Sequence, residues 1–260
     1  MTAAAARADG SAPELLDALA ADRATGALTT RSGIFYLAAG HVVHVESAHS
    51  PALGDLLTRS GALAPAGWWE AVERAGARQR VGRQLVDSGR LTAGALELAH
   101  LGALFDAAYF ALAHDGTALR FRPGVAHWLG GVRPVTVATV LRESYRRRAL
   151  LDRIWPDAAV DTAPLARTPD ADPAVLPPRR GRALALVDGG RTAAQIASAL
   201  AHRTFHTLVE LRRLAADGLV APAPPAPAPP VHPVPGAGRA DWDEPDTALL
   251  RRLLDALEAL

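Results

Sequence analysis

Four residues crowd one short segment of this chain with groups able to bind a metal or move a proton: His41, His44, Glu46 and His49. The run 41–46, HVVHVE, reads as a β-strand, on which residues of opposite parity point to opposite faces. His41 and His44 therefore part company, and only His44 and Glu46 share a face. Two ligands do not complete a zinc site, which takes three or four. The expectation is strand-surface residues and no metal. His202 and His206 have helical i, i+4 spacing, but His202 falls in a turn and no third ligand is near in sequence. A Walker loop, a Gly-x-Gly-x-x-Gly after a strand, a Gly-x-Ser-x-Gly elbow and a His-Glu-x-x-His helix are all missing. Cysteine is absent, which removes disulfides, thiolate metal sites and a cysteine nucleophile. The reading is a protein that is not an enzyme and carries no cofactor.

The segment 182–220, RALALVDGGRTAAQIASALAHRTFHTLVELRRLAADGLV, carries the clearest functional signal. A first helix closes at Asp188-Gly189-Gly190. Thr192 and Gln195 form a capping-box pair that opens a second helix through Leu200. After the turn Ala201-His202-Arg203, Thr204 caps a third helix that stops at Gly218. Leu208, Leu211 and Ala215 pack that helix against Ile196, Leu200 and Leu184. A helix-turn-helix reads base edges from the exposed N-terminal half of its last helix. Arg203, His206 and Thr207 occupy that half, and Arg212 or Arg213 would hold phosphate. Glu210 opposes them, and the local charge from 191 to 217 is only about +2, so a monomer would hold DNA weakly. After Leu219-Val220 the chain enters Ala-Pro repeats, and no C-terminal strand is expected to close a wing.

Composition limits what the arginines can signify. The chain has 260 residues, 49% hydrophobic and 21% charged, with a net charge of +1, so it exerts no global attraction on nucleic acid or anionic membrane. All 28 basic residues are arginine and asparagine is missing, the mark of a GC-rich coding bias. Tyr145-Arg146-Arg147-Arg148 accordingly reads as a solvated helix face. With no membrane-length apolar run and no signal-peptide pattern, the expected location is cytoplasmic.

The elements that must position these residues begin after an alanine-rich segment, 1–12, expected to be disordered. A short amphipathic helix at 13–23 buries Leu15, Leu16 and Leu19. Strand-like runs at 26–30, 33–37 and 41–46, with turns at 31–33 and 38–40, form an antiparallel meander. Leu15-Leu16, Thr25-Gly26-Ala27-Leu28 and the run FYLAAGHVVH from Phe35 to His44 resemble the start of the PATAN-type domain of bacterial signalling proteins. That resemblance implies an interaction module without catalytic residues. An internal repeat follows: 53–63 aligns with 81–91, and Gly54/Gly82, Leu57/Leu85, Ser60/Ser88, Gly61/Gly89 and Leu63/Leu91 are identical. Each copy is a short helix stopped by Ser-Gly, a plugging leucine and a second helix, with Trp68 and Leu96 at equivalent inward positions. The repeat is similar to the paired motif in the N-terminal domain of type II secretion and pilus ATPases. That family can bind cyclic di-GMP through an Arg-Leu-Gly opening. Arg80 keeps the arginine in the second copy, but Ala52 replaces it in the first, and with it goes a bidentate contact.

Beyond the repeat, 117–122 reads as a strand returning to the N-terminal sheet, and 134–154 as a long amphipathic helix ended by Trp155-Pro156. Residues 157–180 read as a Pro/Asp-rich linker and 222–246 as a Pro/Ala-rich one. A final helix at 247–260 presents Leu249, Leu250, Leu253, Leu254 and Leu257 as a self-association or docking stripe. The fold expected is α+β. A PATAN-like module spans 13–156, with tandem repeats at 53–76 and 81–104, and a separate winged-helix-like domain covers 181–221. The chain also resembles actinobacterial proteins classed with MarR-type transcriptional regulators, though without their long dimerisation helices or full wing. The resemblance implies a regulator acting on DNA, with a protein partner or a second copy of the chain. The alternative is an adaptor in a signalling, small-GTPase or polarity system, and the third reading is a cyclic di-GMP sensor.

Overall fold

The computed structural model describes residues 6–8, 11–113, 119–169 and 171–224, with backbone alone at 6–8. In chain order, β1 (Ala6–Ala8) precedes α1 (Ala12–Ala21), whose first turn closes with a reciprocal Ser11–Glu14 capping box. The meander is β2 (Gly26–Thr29), β3 (Ile34–Ala38) and β4 (His41–Glu46). The helices α2 (Leu53–Arg59), α3 (Pro65–Ala75), α4 (Val81–Asp87) and α5 (Ala93–Ala111) follow. Then come β5 (Leu119–Pro123), β6 (Val135–Thr136) and α6 (Val137–Ile154). The remainder is α7 (Ala159–Thr162), β7 (Leu165–Arg167), a 3₁₀ turn (Pro173–Val175), α8 (Pro178–Ala185), α9 (Ala193–Ala199), α10 (Thr204–Ala216) and β8 (Val220–Pro222).

The protein is α+β, built on an antiparallel sheet of order β1-β5-β2-β3-β4-β6. As the sequence pattern requires, β5 returns to pair with β2, Leu28 opposite Phe121. The pairing depends on Gly26: a Cβ there would stand 2.4 Å from the Arg122 carbonyl oxygen. Residues 6–8, expected within a disordered segment, instead pair with β5 as an added edge strand. Alanine has little strand propensity of its own, so the neighbouring edge supplies the order.

The repeat is visible as geometry. Ser60 and Ser88 are helix C-caps, and Gly61 and Gly89 take the left-handed conformation with φ of +76° and +70°. The N–H groups of Leu63 and Leu91 close back on the Leu57 and Leu85 carbonyls, burying both leucines. Gly54 and Gly82 are close-approach glycines. A Cβ on Gly54 would meet the Trp68 ring at 2.5 Å, and one on Gly82 would meet Val132 at 2.8 Å and Leu96 at 3.5 Å.

One helix joins the three hydrophobic cores. Leu104, Ala107, Ala108 and Ala111 of α5 face the sheet, α1 and α6; Leu96 and Ala103 face the repeat; Tyr109 and Phe110 face the C-terminal helices. A helix that is apolar all round belongs inside, and alanine at four of its contact positions lets three layers approach it. The C-terminal helices are not a separate domain: Leu184, Ile196, Leu208 and Leu211 share a core with Tyr109, Phe110 and Leu151, and the chain through Ala223 forms one unit. Residues 157–180, expected to be a linker, contain α7 and β7, with Val160 and Leu165 in that core. A C-terminal strand also exists. β8 pairs antiparallel with β7, Ala166 opposite Ala221, because proline without an N–H is tolerated at a strand end. Leu249, Leu250, Leu253, Leu254 and Leu257 lie outside the described residues.

Candidate functional site

The histidines of β4 part by parity, yet His44 does not lie on a surface. Its side chain is buried together with His100 of α5 and His127 of the 124–134 connection. Their rings form a stack: His44 lies 4.1 Å from His127 and 5.5 Å from His100, centroid to centroid. Tyr36, the cross-strand neighbour of His44, meets His127 edge-on at 4.8 Å. Glu46 accepts from the Tyr36 hydroxyl at 3.0 Å and from His127 Nε2 at 3.1 Å. The His127 hydrogen bond holds the Glu46 carboxyl below the usual range, while burial and the Glu46 charge push Tyr36 up to about 12. Burial holds His44 far below the ordinary imidazole value, assisted by His127 and His100, and brings His100 down to about 4. The Val43 carbonyl offsets part of the effect on His100 without reaching hydrogen-bond geometry.

His44, Glu46 and His127 of this cluster form one wall of a cavity of about 500 Å³ between the end of the sheet, the 47–54 connection and the repeat. Val45, Leu53, Trp68, Ala103, Ala107 and Leu129 make the lining mostly apolar. The aromatic rim continues through Trp128, which lies 4.7 Å from His127 and 5.7 Å from Trp68. His44 Nδ1 and Ser50 Oγ are buried polar atoms of this lining without a hydrogen-bond partner among the described residues.

His44, Glu46 and His127 each offer a ligand atom, all within 4.8 Å of one another. Tautomer chemistry argues against an ion there. His127 Nδ1 accepts the Leu129 N–H at 3.2 Å, so its proton sits on Nε2, directed at Glu46. A metal at Nε2 would drive that proton to Nδ1 and set two donors face to face. The His44 and His127 rings, stacked at 4.1 Å and inclined by 25°, also hold their in-plane lone pairs in nearly parallel planes. In this trio His44 stacks on the His127 ring, which is in turn hydrogen-bonded to Glu46. Local spacing could not find it, because His127 stands 81 residues from Glu46.

The residues expected to touch DNA are scattered by the packing of α10. Its N-cap is Arg203, not Thr204, and no side chain of its own caps it. Asp106 of α5 does so instead, accepting the Phe205 N–H at 3.2 Å while paired to Arg147 Nη1 at 2.7 Å. Arg147 is thus buried rather than solvated, and its guanidinium covers the Phe205 ring at 4.5 Å. Arg203 donates to the Leu98 carbonyl at 3.1 Å and lies against Gly102. Thr207 is buried. Arg212, expected to hold phosphate, is fully buried: it forks onto Asp161 at 2.7 and 2.8 Å and donates to the Trp155 carbonyl. Tyr109 completes the network through Asp161. His206 remains exposed, and exposed Arg213 pairs with Glu210 at 3.0 Å.

The exposed charge of this part gathers elsewhere. Arg182, His206 and Arg179 all lie close enough to His202 to depress its pKa, after burial as the main cause. Arg80, the one arginine that would serve a cyclic dinucleotide, is exposed at the N-cap of α4. Among the described residues no helix is long and apolar enough to cross a membrane. Comparison with family models, with curated proteins and with solved structures finds no match to this chain.

Proposed function

We propose that this chain is a non-enzymatic regulatory adaptor that works through protein contacts. One observation carries the reading: the N-terminal turn of α10, which a DNA reader must present, is fixed to α5 by Asp106 and Arg203. Of its five candidate DNA-contacting residues, Thr207 and Arg212 are buried, Arg203 is engaged with α5 and Arg213 with Glu210. The resemblance of the N-terminal half to PATAN-type modules supports the same reading, since it implies an interaction module. Trp69 of α3 and Leu98 of α5, 63% and 64% exposed, offer apolar anchors on the repeat for a partner.

DNA-linked regulation keeps one specific observation in its favour, the approach of Arg179, Arg182 and His206 to His202. Such a patch would grip phosphate without reading bases. Fluorescence anisotropy of the full chain with labelled genomic duplexes, across salt, separates the two. The adaptor reading expects weak, sequence-indifferent binding that fades as salt rises and is lost in Arg179→Glu/Arg182→Glu. Cross-linking in cells should recover a protein partner that Trp69→Glu/Leu98→Glu loses. Tight binding to particular fragments, abolished by His206→Ala, would overturn the proposal.

A further inference from the structure

We infer that the cavity beneath the histidine stack is a binding site for a small, mostly apolar molecule, not an anion, that carries one hydrogen-bonding group. Its volume of about 500 Å³ falls in the range of small-molecule sites, which combine apolar walls with a few placed polar groups. Here those groups are identifiable. His44 is 5% exposed, and among the described residues neither its Nδ1 nor Ser50 Oγ, also in the lining, has a hydrogen-bond partner. A buried polar atom left unpaired costs about 1–3 kcal/mol, so a ligand that supplies the missing bond recovers energy already spent in folding.

The charge of the ligand follows from what the walls lack. Both Glu46 oxygens are engaged, one by Tyr36 and one by His127, and burial keeps His44 neutral. Arg31 stands at the exposed rim rather than in the depth. An anion seated beside His44 would therefore be desolvated without a counter-ion and would face the Glu46 carboxylate. Shape follows from the aromatic side of the cavity, where His127, Trp128 and Trp68 present ring faces and edges suited to a planar molecule. The neutral imidazole can accept or donate at Nδ1 according to its tautomer, so the ligand's polar group can be an N–H, a hydroxyl or a carbonyl.

The test uses N-phenyl-1-naphthylamine, an uncharged dye that brightens in apolar sites, titrated into the full chain. Diphenylamine, benzophenone and diphenylmethane then compete with it, three similar shapes that offer a donor, an acceptor and neither. The dye should bind at a single site, and Ala48→Trp, placed at the exposed edge of the cavity lining, should abolish the signal. One of the two polar competitors should displace the dye about fivefold better than diphenylmethane, the worth of one net hydrogen bond. His44→Phe, which keeps the ring stack, should erase that advantage. No dye binding by the full chain, binding untouched by Ala48→Trp, or equal potency of all three competitors against the native chain would each overturn the inference. The last two comparisons hold even where His44→Phe does not fold.

Discussion

At His100, burial acts on a base with no hydrogen-bond partner among the described residues for either ring nitrogen. His44 faces it in the stack, and His127 acts on it through charge. Its pKa falls from 6.5 to about 4, so between those values the unfolded chain binds a proton that the folded chain refuses. Stability therefore falls as pH drops through 6.5 and levels off below about 4, losing about 3 kcal/mol at about 1.4 kcal/mol per unit. His44 adds to the loss with the same sign. Urea unfolding at pH 7, 5.5 and 4.5 should show this slope, and His100→Phe should flatten it; an unchanged slope would remove His100 as the cause. Arg212 makes a second, independent case. Its fork on Asp161 is fully buried, so Arg212→Leu strands a carboxylate and should cost about 3–5 kcal/mol. Arg212→Leu/Asp161→Leu should recover most of that loss in the same urea experiment. A double variant no better than the single one would mean that shape, not charge, matters there.

At the scale of elements, the sequence was most legible where backbone chemistry is local. The Thr192–Gln195 capping box, the Ser-Gly stops at 60–61 and 88–89, and the meander turns all stand where their residue types require. Thr192→Ala should lower stability by about 1 kcal/mol, read by thermal or urea melting. A change below a few tenths would show the cap to be idle. The repeat was legible too, because Gly54 and Gly82 answer to a neighbour 14 residues ahead in each copy. Gly54→Ala forces the Trp68 ring aside and should cost about 1–3 kcal/mol, whereas a neutral result would mean Trp68 is free to move. Interactions between distant elements were not legible. Nothing near Thr204 announces that Asp106, 99 residues before Phe205, serves as the cap of α10. Nor does the Pro/Asp-rich composition of 157–180 disclose that Val160 and Leu165 complete a core. Proline and aspartate mark turns, and they do so equally in linkers and in packed connections.

At the scale of the whole molecule, α5 decides the architecture. Because it contributes to all three cores, the C-terminal helices cannot be parted from the rest without exposing Tyr109, Phe110 and Leu151. The isolated segment 181–221 should accordingly be largely unfolded by circular dichroism, and residues 157–180 should resist limited proteolysis in the full chain. A cooperatively melting 181–221 peptide would restore the separate domain that its helix pattern suggests. The same coupling bears on function, since it uses Arg203, Thr207 and Arg212 as internal struts. The most direct measurement is anisotropy of labelled duplexes with the full chain at about 50 and 200 mM salt, comparing genomic fragments with random sequence. A protein that acts by contact with other proteins should bind all duplexes alike, and only at the lower salt. A fragment bound at least a thousandfold more tightly than random duplex, in the usual range of sequence-specific readers (about 10³ or more), would contradict it.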